Sequence, residues 1–368
     1  MLRVPVLSPD GKPLMPAKAS RVRRWLKFGK AKVVHNDIGI FQVQYLEKPS
    51  GEEVQNVVVG IDPGKLFSGI GVQSQKATLF LAHLKLPFKT VTKRMTQRAM
   101  MRRGRRGRRI NRKLPYNQRN HRQCRFDNRR GHKIPPSIRA NRDLEFRVLQ
   151  ELQQIYPSND VVVEVIKARG NKGFSPAMVG QYWQLERLEQ EGYNVHTQEG
   201  WHTSTLRQYL GLPKAKNKAQ ESPAAHAVDG LCLAISQFMR YRQIKRRSGT
   251  WLGDIKVTPC QFAVINRPPV CRRQLHLMIP AKGGERRGYG GTVTRHGFRK
   301  GDYVKVGQAG ITYYGYVSGD TKSQVSVSDS NWKRLGRFTA KKVQLLQRNT
   351  GLVSTIGLSN LTTLSGAV

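Results

Sequence analysis

Between residues 93 and 142, nineteen of fifty side chains are Lys or Arg and only Asp127 is acidic. No apolar core accepts such a segment, because buried unpaired charge costs more than packing returns. Any core must therefore be assembled from apolar runs on either side, which makes it discontinuous in sequence. The first half, Lys93–Lys113, is compatible with a helix except at Gly104 and Gly107, yet it has no apolar stripe to bury. Such a segment is expected to become ordered on an anionic partner rather than on protein.

The rest of the chain carries the same sign. Lys and Arg total 65 against 23 Asp and Glu, a net charge of +42 over 368 residues. A polyanion relieves that self-repulsion, and nucleic acid does so with release of its condensed counterions. No run of about 18 apolar residues is present, and there is no leader-like apolar segment at the start. Membrane association is not expected, and a cytoplasmic location is. Cys124, Cys232, Cys260 and Cys271 form no CxxC pair, so neither a zinc ribbon nor a disulfide framework is expected.

Two apolar runs end in or carry an acid: Val57–Asp62, followed by a Pro63-Gly64 turn, and Asp160–Ile166 with Glu164 inside it. Both read as buried strands. Ser68–Val72 and Thr78–Leu84 extend the first into a meander. Helical spacing is expected over Asp143–Ile155, Ser175–Glu191 and Ser222–Tyr241, the last placing His226 and Asp229 one turn apart. Residues 1–50 read as a small α/β unit. From Trp251 short alternating runs, among them Asp302–Val306 and Ile311–Val317, suggest a β-rich domain.

Asp62, Glu164, His226 and Asp229 thus stand on three core elements. Two-metal phosphodiester hydrolysis needs such a set of hard ligands. Each residue alone has an ordinary alternative: a turn, an arginine pair, a structural histidine, a surface acid. Their order along the chain is what points to a site.

Several motifs together resemble the transposon-encoded IscB/IsrB family, relatives of type II CRISPR effectors. Gly11–Pro16 and Gly29–Val34 are similar to its PLMP domain. Val59–Gly64, Val163–Val165 and His226–Asp229 resemble its three RuvC motifs. The arginines from Arg94 to Arg112 resemble its bridge helix, and 283–302 its C-terminal domain. Only 62 residues separate Glu164 from His226, and they contain no HNH pattern, so the resemblance is to the HNH-lacking IsrB branch.

That resemblance implies an α/β fold with a split RNase H-like (RuvC) core. Its parts would be a PLMP domain (1–53), RuvC part I (54–91), the bridge helix and following segment (92–142), RuvC parts II and III (143–250) and a β-rich flanking-motif domain (251–368). It also implies a monomeric ribonucleoprotein in a prokaryotic cytoplasm. This particle would use a guide-bearing noncoding RNA to nick the displaced strand of target DNA. Asp62, Glu164, His226 and Asp229 would bind two Mg²⁺ ions, with Mn²⁺ as substitute. Arg94, Arg98, Arg102, Arg103, Arg105, Arg106, Arg108, Arg109, Arg112, Arg125, Arg129 and Arg130 would hold nucleic acid. Arg286, Arg287, Thr292, Arg295 and Arg299 would read the flanking motif. His202 is expected to be structural or a nucleic-acid contact. Alternatives are a catalytically idle binding module, a guide-independent junction resolvase, and an actin-like ATPase sharing the Gly60–Gly64 hairpin.

Overall fold

The computed structural model describes residues 2–119, 134–167, 176–214, 220–245, 248–269, 292–359 and 361. The chain divides into two compact units: residues 1–86, 138–267 and 354–368, and residues 87–137 and 268–353.

The first unit opens with a four-stranded sheet. It comprises β1 (Arg3–Leu7), β2 (Pro13–Lys18), β3 (Ala31–Val34) and β4 (Gln42–Tyr45) in the order β2-β1-β4-β3. Helix α1 (Ala19–Lys27) buries Val22 in a small core with Val4, Val6 and Val43. The expected α/β unit is present.

The main sheet begins with β5 (Val57–Asp62), β6 (Phe67–Ser74) and β7 (Ala77–Lys85). It continues beyond the basic helix α2 (Phe88–Arg109) and α3 (Pro136–Ile155) with β8 (Asp160–Val165). After α4 (Pro176–Gln190) comes β9 (Asn194–Glu199). These five strands lie in the order β7-β6-β5-β8-β9. β6 runs antiparallel to both neighbours, while β5, β8 and β9 are parallel. An antiparallel meander continued by parallel crossovers in this order is the RNase H-like core. The continuous Val-rich runs of β5 and β8 reflect burial on both faces.

Helix α5 (Gly200–Tyr209) and helix α6 (Pro223–Ile235) follow. Side chains alternate across a strand, which assigns the two faces. On one face Gly60, Gly69 and Gly71 lie so close to α6 that a Cβ on Gly69 would sit 1.7 Å from the His226 carbonyl oxygen. Leu81 belongs to the same α6 core. Its neighbour Phe80 therefore faces the other side, where the Tyr156 ring lies 6.5 Å away, just beyond the end of α3. The three glycines leave room for a buried helix laid directly on the sheet, and Gly230 of α6 completes the contact.

Three features depart from the sequence reading. Helix α3 begins at Pro136 rather than Asp143, so the end of the basic stretch enters the core, with Ile138, Asn141 and Arg142 buried. Helix α6 ends at Ile235 rather than Tyr241, because Arg240–Lys245 forms β10, paired with β11 (Ser248–Leu252). Strands β12 (Cys260–Asn266) and β18 (Val353–Ser359) extend the main sheet beyond β7. The uncharged tail from Leu352 therefore begins with a core-sheet strand.

In the second unit β13 (Tyr303–Gln308), β14 (Ile311–Asp320), β15 (Gln324–Ser328), β16 (Arg334–Thr339) and β17 (Val343–Gln347) form an antiparallel sheet ordered β16-β15-β14-β13-β17. Val304, Val306, Val317, Val325 and Val327 fill its core. Among the described residues, no helix is long and apolar enough to cross a membrane.

Candidate active site at the carboxyl edge of the core sheet

Ile61 of β5 pairs with Val163 of β8. The next residues in that parallel register are Asp62 and Glu164, so their backbones lie about 4.8 Å apart. Both share the α6 face, because Gly60 contacts α6 and Val162 packs with Leu233 of α6, two residues before each acid. Across the sheet Asp62 pairs with Gly69, and Gly69 with His83. A transverse row, Glu164–Asp62–Gly69–His83, therefore crosses four strands, with the first turn of α6 resting on its glycine.

That turn carries His226. Its ring stacks on His83 with centroids 5.0 Å apart and planes 11° from parallel. The two Nδ1 atoms are 3.3 Å apart, so one imidazole donates and the other accepts. Phe67 closes the stack, 5.1 Å from each ring. His83 is fully buried, and its Nε2 has no hydrogen-bond partner among the described residues. Burial, then the neighbouring His226, depress its pKa to about 4. His83 is a neutral support for His226 at ordinary pH.

Asp229 takes a different partner. It stands one turn after His226, about 60° away around the helix, and reaches α5 instead of β7. It forms a buried ion pair with Arg207 of α5, each side chain only 6% exposed. One turn earlier on α5, Thr203 donates to the Glu164 Oε2 at 2.9 Å. A single face of α5 thus holds the acids of β8 and α6 together. Sequence reasoning missed Thr203, Arg207 and His83. None stands in a recognisable motif, and only the packing of α5 and β7 reveals them.

The turn after Asp62 is tied down from beneath. Arg142 donates to the Gly64 carbonyl at 2.7 Å and Asn141 to the Lys65 carbonyl at 2.9 Å. Arg142 also pairs with the fully buried Glu145 at 2.8 Å, and Gln184 bridges the two. Desolvation raises the Glu145 pKa, opposed by Arg142. This network is structural, and it sets where the Asp62 carboxylate leaves the sheet.

Asp62 and Glu164 stand side by side in the register and carry the hard oxygen donors that a divalent cation takes. Asp229 does not join them here, since Arg207 holds its carboxylate. Among the described residues, no three Asp, Glu, His or Cys side chains are grouped closely enough to hold one metal.

The remaining predicted residues lie elsewhere. Arg94, Arg98, Arg102 and Arg103 project from α2, which has no buried side chain among those described, and Arg112 follows it, exposed. Arg94 donates to the Pro269 carbonyl at 3.1 Å. Arg105, Arg106, Arg108 and Arg109 are on the helix, their side chains outside those described. Arg125, Arg129, Arg130, Arg286 and Arg287 lie outside the described residues. Thr292, Arg295 and Arg299 are exposed on a loop closed by a Val293–Arg299 bridge. The loop is anchored by buried Asp302, which accepts from the Arg299 backbone at 2.8 Å. His202 stacks under Trp201, and desolvation lowers its pKa.

Residues 4–181 match the RRXRR protein family model. This is just under half the chain, and the span holds β5–β8 and α2. Helix α2 reads Arg-Arg-Gly-Arg-Arg twice, at 102–106 and 105–109. No curated protein matches the chain. Among solved structures, T. thermophilus RuvC in complex with a Holliday junction substrate aligns at 18% identity, covering 49% of this chain and 91% of that one, with a TM-score of 0.27. A second Thermus thermophilus RuvC structure aligns at 15% identity, with the same coverage and TM-score. The fold assignment rests on strand order and direction.

Proposed function

We propose that this protein is an RNA-guided DNA endonuclease that cuts one strand at a single RuvC-type centre. The observation that carries the proposal is the Glu164–Asp62 pair at the carboxyl edge of an RNase H-like sheet, with His226 seated over the same row. The family model adds support, since RRXRR is found in IscB-type nucleases.

In this reading Asp62 and Glu164 would hold Mg²⁺, and Asp229 would complete the set only in a state where it is free of Arg207. Two bound ions would supply an activated water and neutralise the leaving oxygen. His226, its Nδ1 turned toward His83, would position the attacking water or the scissile phosphate. Thr203 keeps the Glu164 carboxylate aimed, and the Arg142 network keeps the Asp62 turn in place.

Guide RNA is the proposed partner of α2. Its 22 residues bury no described side chain, so phosphates are the natural surface for its arginines. The loop bearing Thr292, Arg295 and Arg299 is the proposed reader of a short flanking DNA motif. A single cut is supported by what lies between β8 and α6: its described residues form α4, β9 and α5, all scaffold for the one site.

The test is a supercoiled plasmid library incubated in Mg²⁺ with the protein and its flanking RNA, carrying a reprogrammed guide. Guide-dependent open circles that vanish in Asp62→Ala are expected. Linear product would mean a second cutting centre. Uncut plasmid with RNA tightly bound would leave a binding module, its third acid neutralised by Arg207.

A further inference from the structure

One aromatic cluster beside the acid row takes no part in the mechanism above. Gly200, the first residue of α5, lies against Glu164: a Cβ there would be 3.0 Å from the Glu164 Oε1. The next residue is Trp201, about 3.8 Å further along the backbone. It is 46% exposed, unusual for a large ring with so much support beneath it. The His202 ring stacks on the indole with centroids 3.6 Å apart. Tyr241 meets the same indole edge-on at 5.3 Å and packs on Trp251 at the same distance. Indole Nε1 donates to the Glu199 Oε2 at 3.2 Å, while Lys167 neutralises the other Glu199 oxygen. The ring is thus held at an edge and on one side.

The surroundings indicate what covers it. Tyr241 lies on β10 and faces the indole, so Arg240 and Arg242 are exposed on the opposite face of that hairpin. The cation nearest the indole is Lys167, paired with Glu199 and 76% exposed. Ile166, two residues beyond Glu164, is 59% exposed. A rigid, half-exposed aromatic surface suits an unpaired base, whose π-face stacks on the indole. A protein partner would need matching acidic and apolar surface. A nucleic acid strand with its phosphate at Asp62 and Glu164 already places a base within reach.

We propose that Trp201 is a stacking platform for a base of single-stranded nucleic acid passing through the acid row. The placement of the phosphate rests on the nuclease reading; the stacking does not. Duplex DNA cannot use this surface without unpairing, so the site selects an opened strand.

The probe is a short single-stranded oligonucleotide bearing one 2-aminopurine, titrated into the full-length chain in EDTA at two salt concentrations. Stacking quenches the probe. Wild type and Trp201→Phe are expected to bind and quench alike, while Trp201→Ala loses roughly five- to hundredfold in affinity and most of the quench. Circular dichroism checks folding, and if Trp201→Ala does not fold, the decision passes to Trp201→Leu against Trp201→Phe. Equal binding and quench by the aliphatic variant overturns the platform and turns attention to a protein partner. Loss in Trp201→Phe as severe as in Trp201→Ala also overturns it, since phenylalanine stacks. The plasmid assay with Asp62→Ala is scored separately. A wild type that never cuts, yet quenches in a Trp201-dependent way, removes the nuclease reading and leaves the platform standing.

Discussion

His83 and Arg207 show how much of this site depends on neutral or compensated burial. His83 sits fully buried with a pKa near 4, below the ordinary 6.5 of an exposed imidazole. A depressed histidine pKa means the unfolded chain binds the proton more readily, so stability is full above pH 6.5 and falls as pH drops toward 4. The shift corresponds to about 3 kcal/mol. His83→Phe should flatten this part of the stability–pH curve, measured by urea unfolding between pH 7 and 4. An unchanged slope would show that His83 is not the titrating group. Arg207 poses the reverse case. Arg207→Met leaves the Asp229 carboxylate buried without its cation, and a loss of about 3–5 kcal/mol is expected. Chemical denaturation would measure it, and a neutral result would mean that the buried pair contributes nothing net to stability.

At the scale of elements, the contact of α6 with β5 and β6 sets the geometry of the site. Gly69 is where the helix touches the sheet most closely, its missing Cβ 1.7 Å from a backbone oxygen. Gly69→Ala must push the first turn of α6 off the acid row. A destabilisation of about 3 kcal/mol is expected, with cleavage lost further than folding. A variant as stable and active as wild type would mean that α6 slides without consequence. Helix α5 contributes in another way: Thr203 and Arg207 lie on one face, four residues apart, and reach acids on two different elements. The helix period of α6 was legible in the sequence, while α5 carried no helical signal that was read there. Where α6 stops was not legible, because apolar residues continue through Phe238 and Met239 into the turn before β10.

For the whole molecule, the charge of +42 predicts association dominated by phosphate contacts. If six or more phosphates are neutralised, affinity for RNA should fall roughly a thousandfold between 50 and 200 mM salt. A shallow salt slope in a filter-binding assay would count against α2 as an RNA-binding element. Hydrogen exchange adds a second check at this scale. Amides of residues 94–119 should gain protection on RNA binding, and full protection without RNA would refute the dependence of α2 on a polyanion.

What the sequence determined by itself is what depends on local pattern. Valine runs specify strands buried on both faces, the terminal acids mark their carboxyl edge, and the arginine density of 93–113 leaves α2 without a buried side chain among those described. The interruption of the core by a basic segment, and the positions of Asp62, Glu164, His226 and Asp229 on successive elements, were legible for the same reason. The tertiary structure alone decided which groups meet. His83 and His226 are 143 residues apart, and Arg207 and Asp229 are 22 apart. No periodicity encodes such a pair, since it arises only when helices close on a sheet. The structure likewise drew β12 and β18 into the main sheet. An alternating run of side chains states that a strand will form, but the edge it joins depends on which unpaired backbone the folded chain presents.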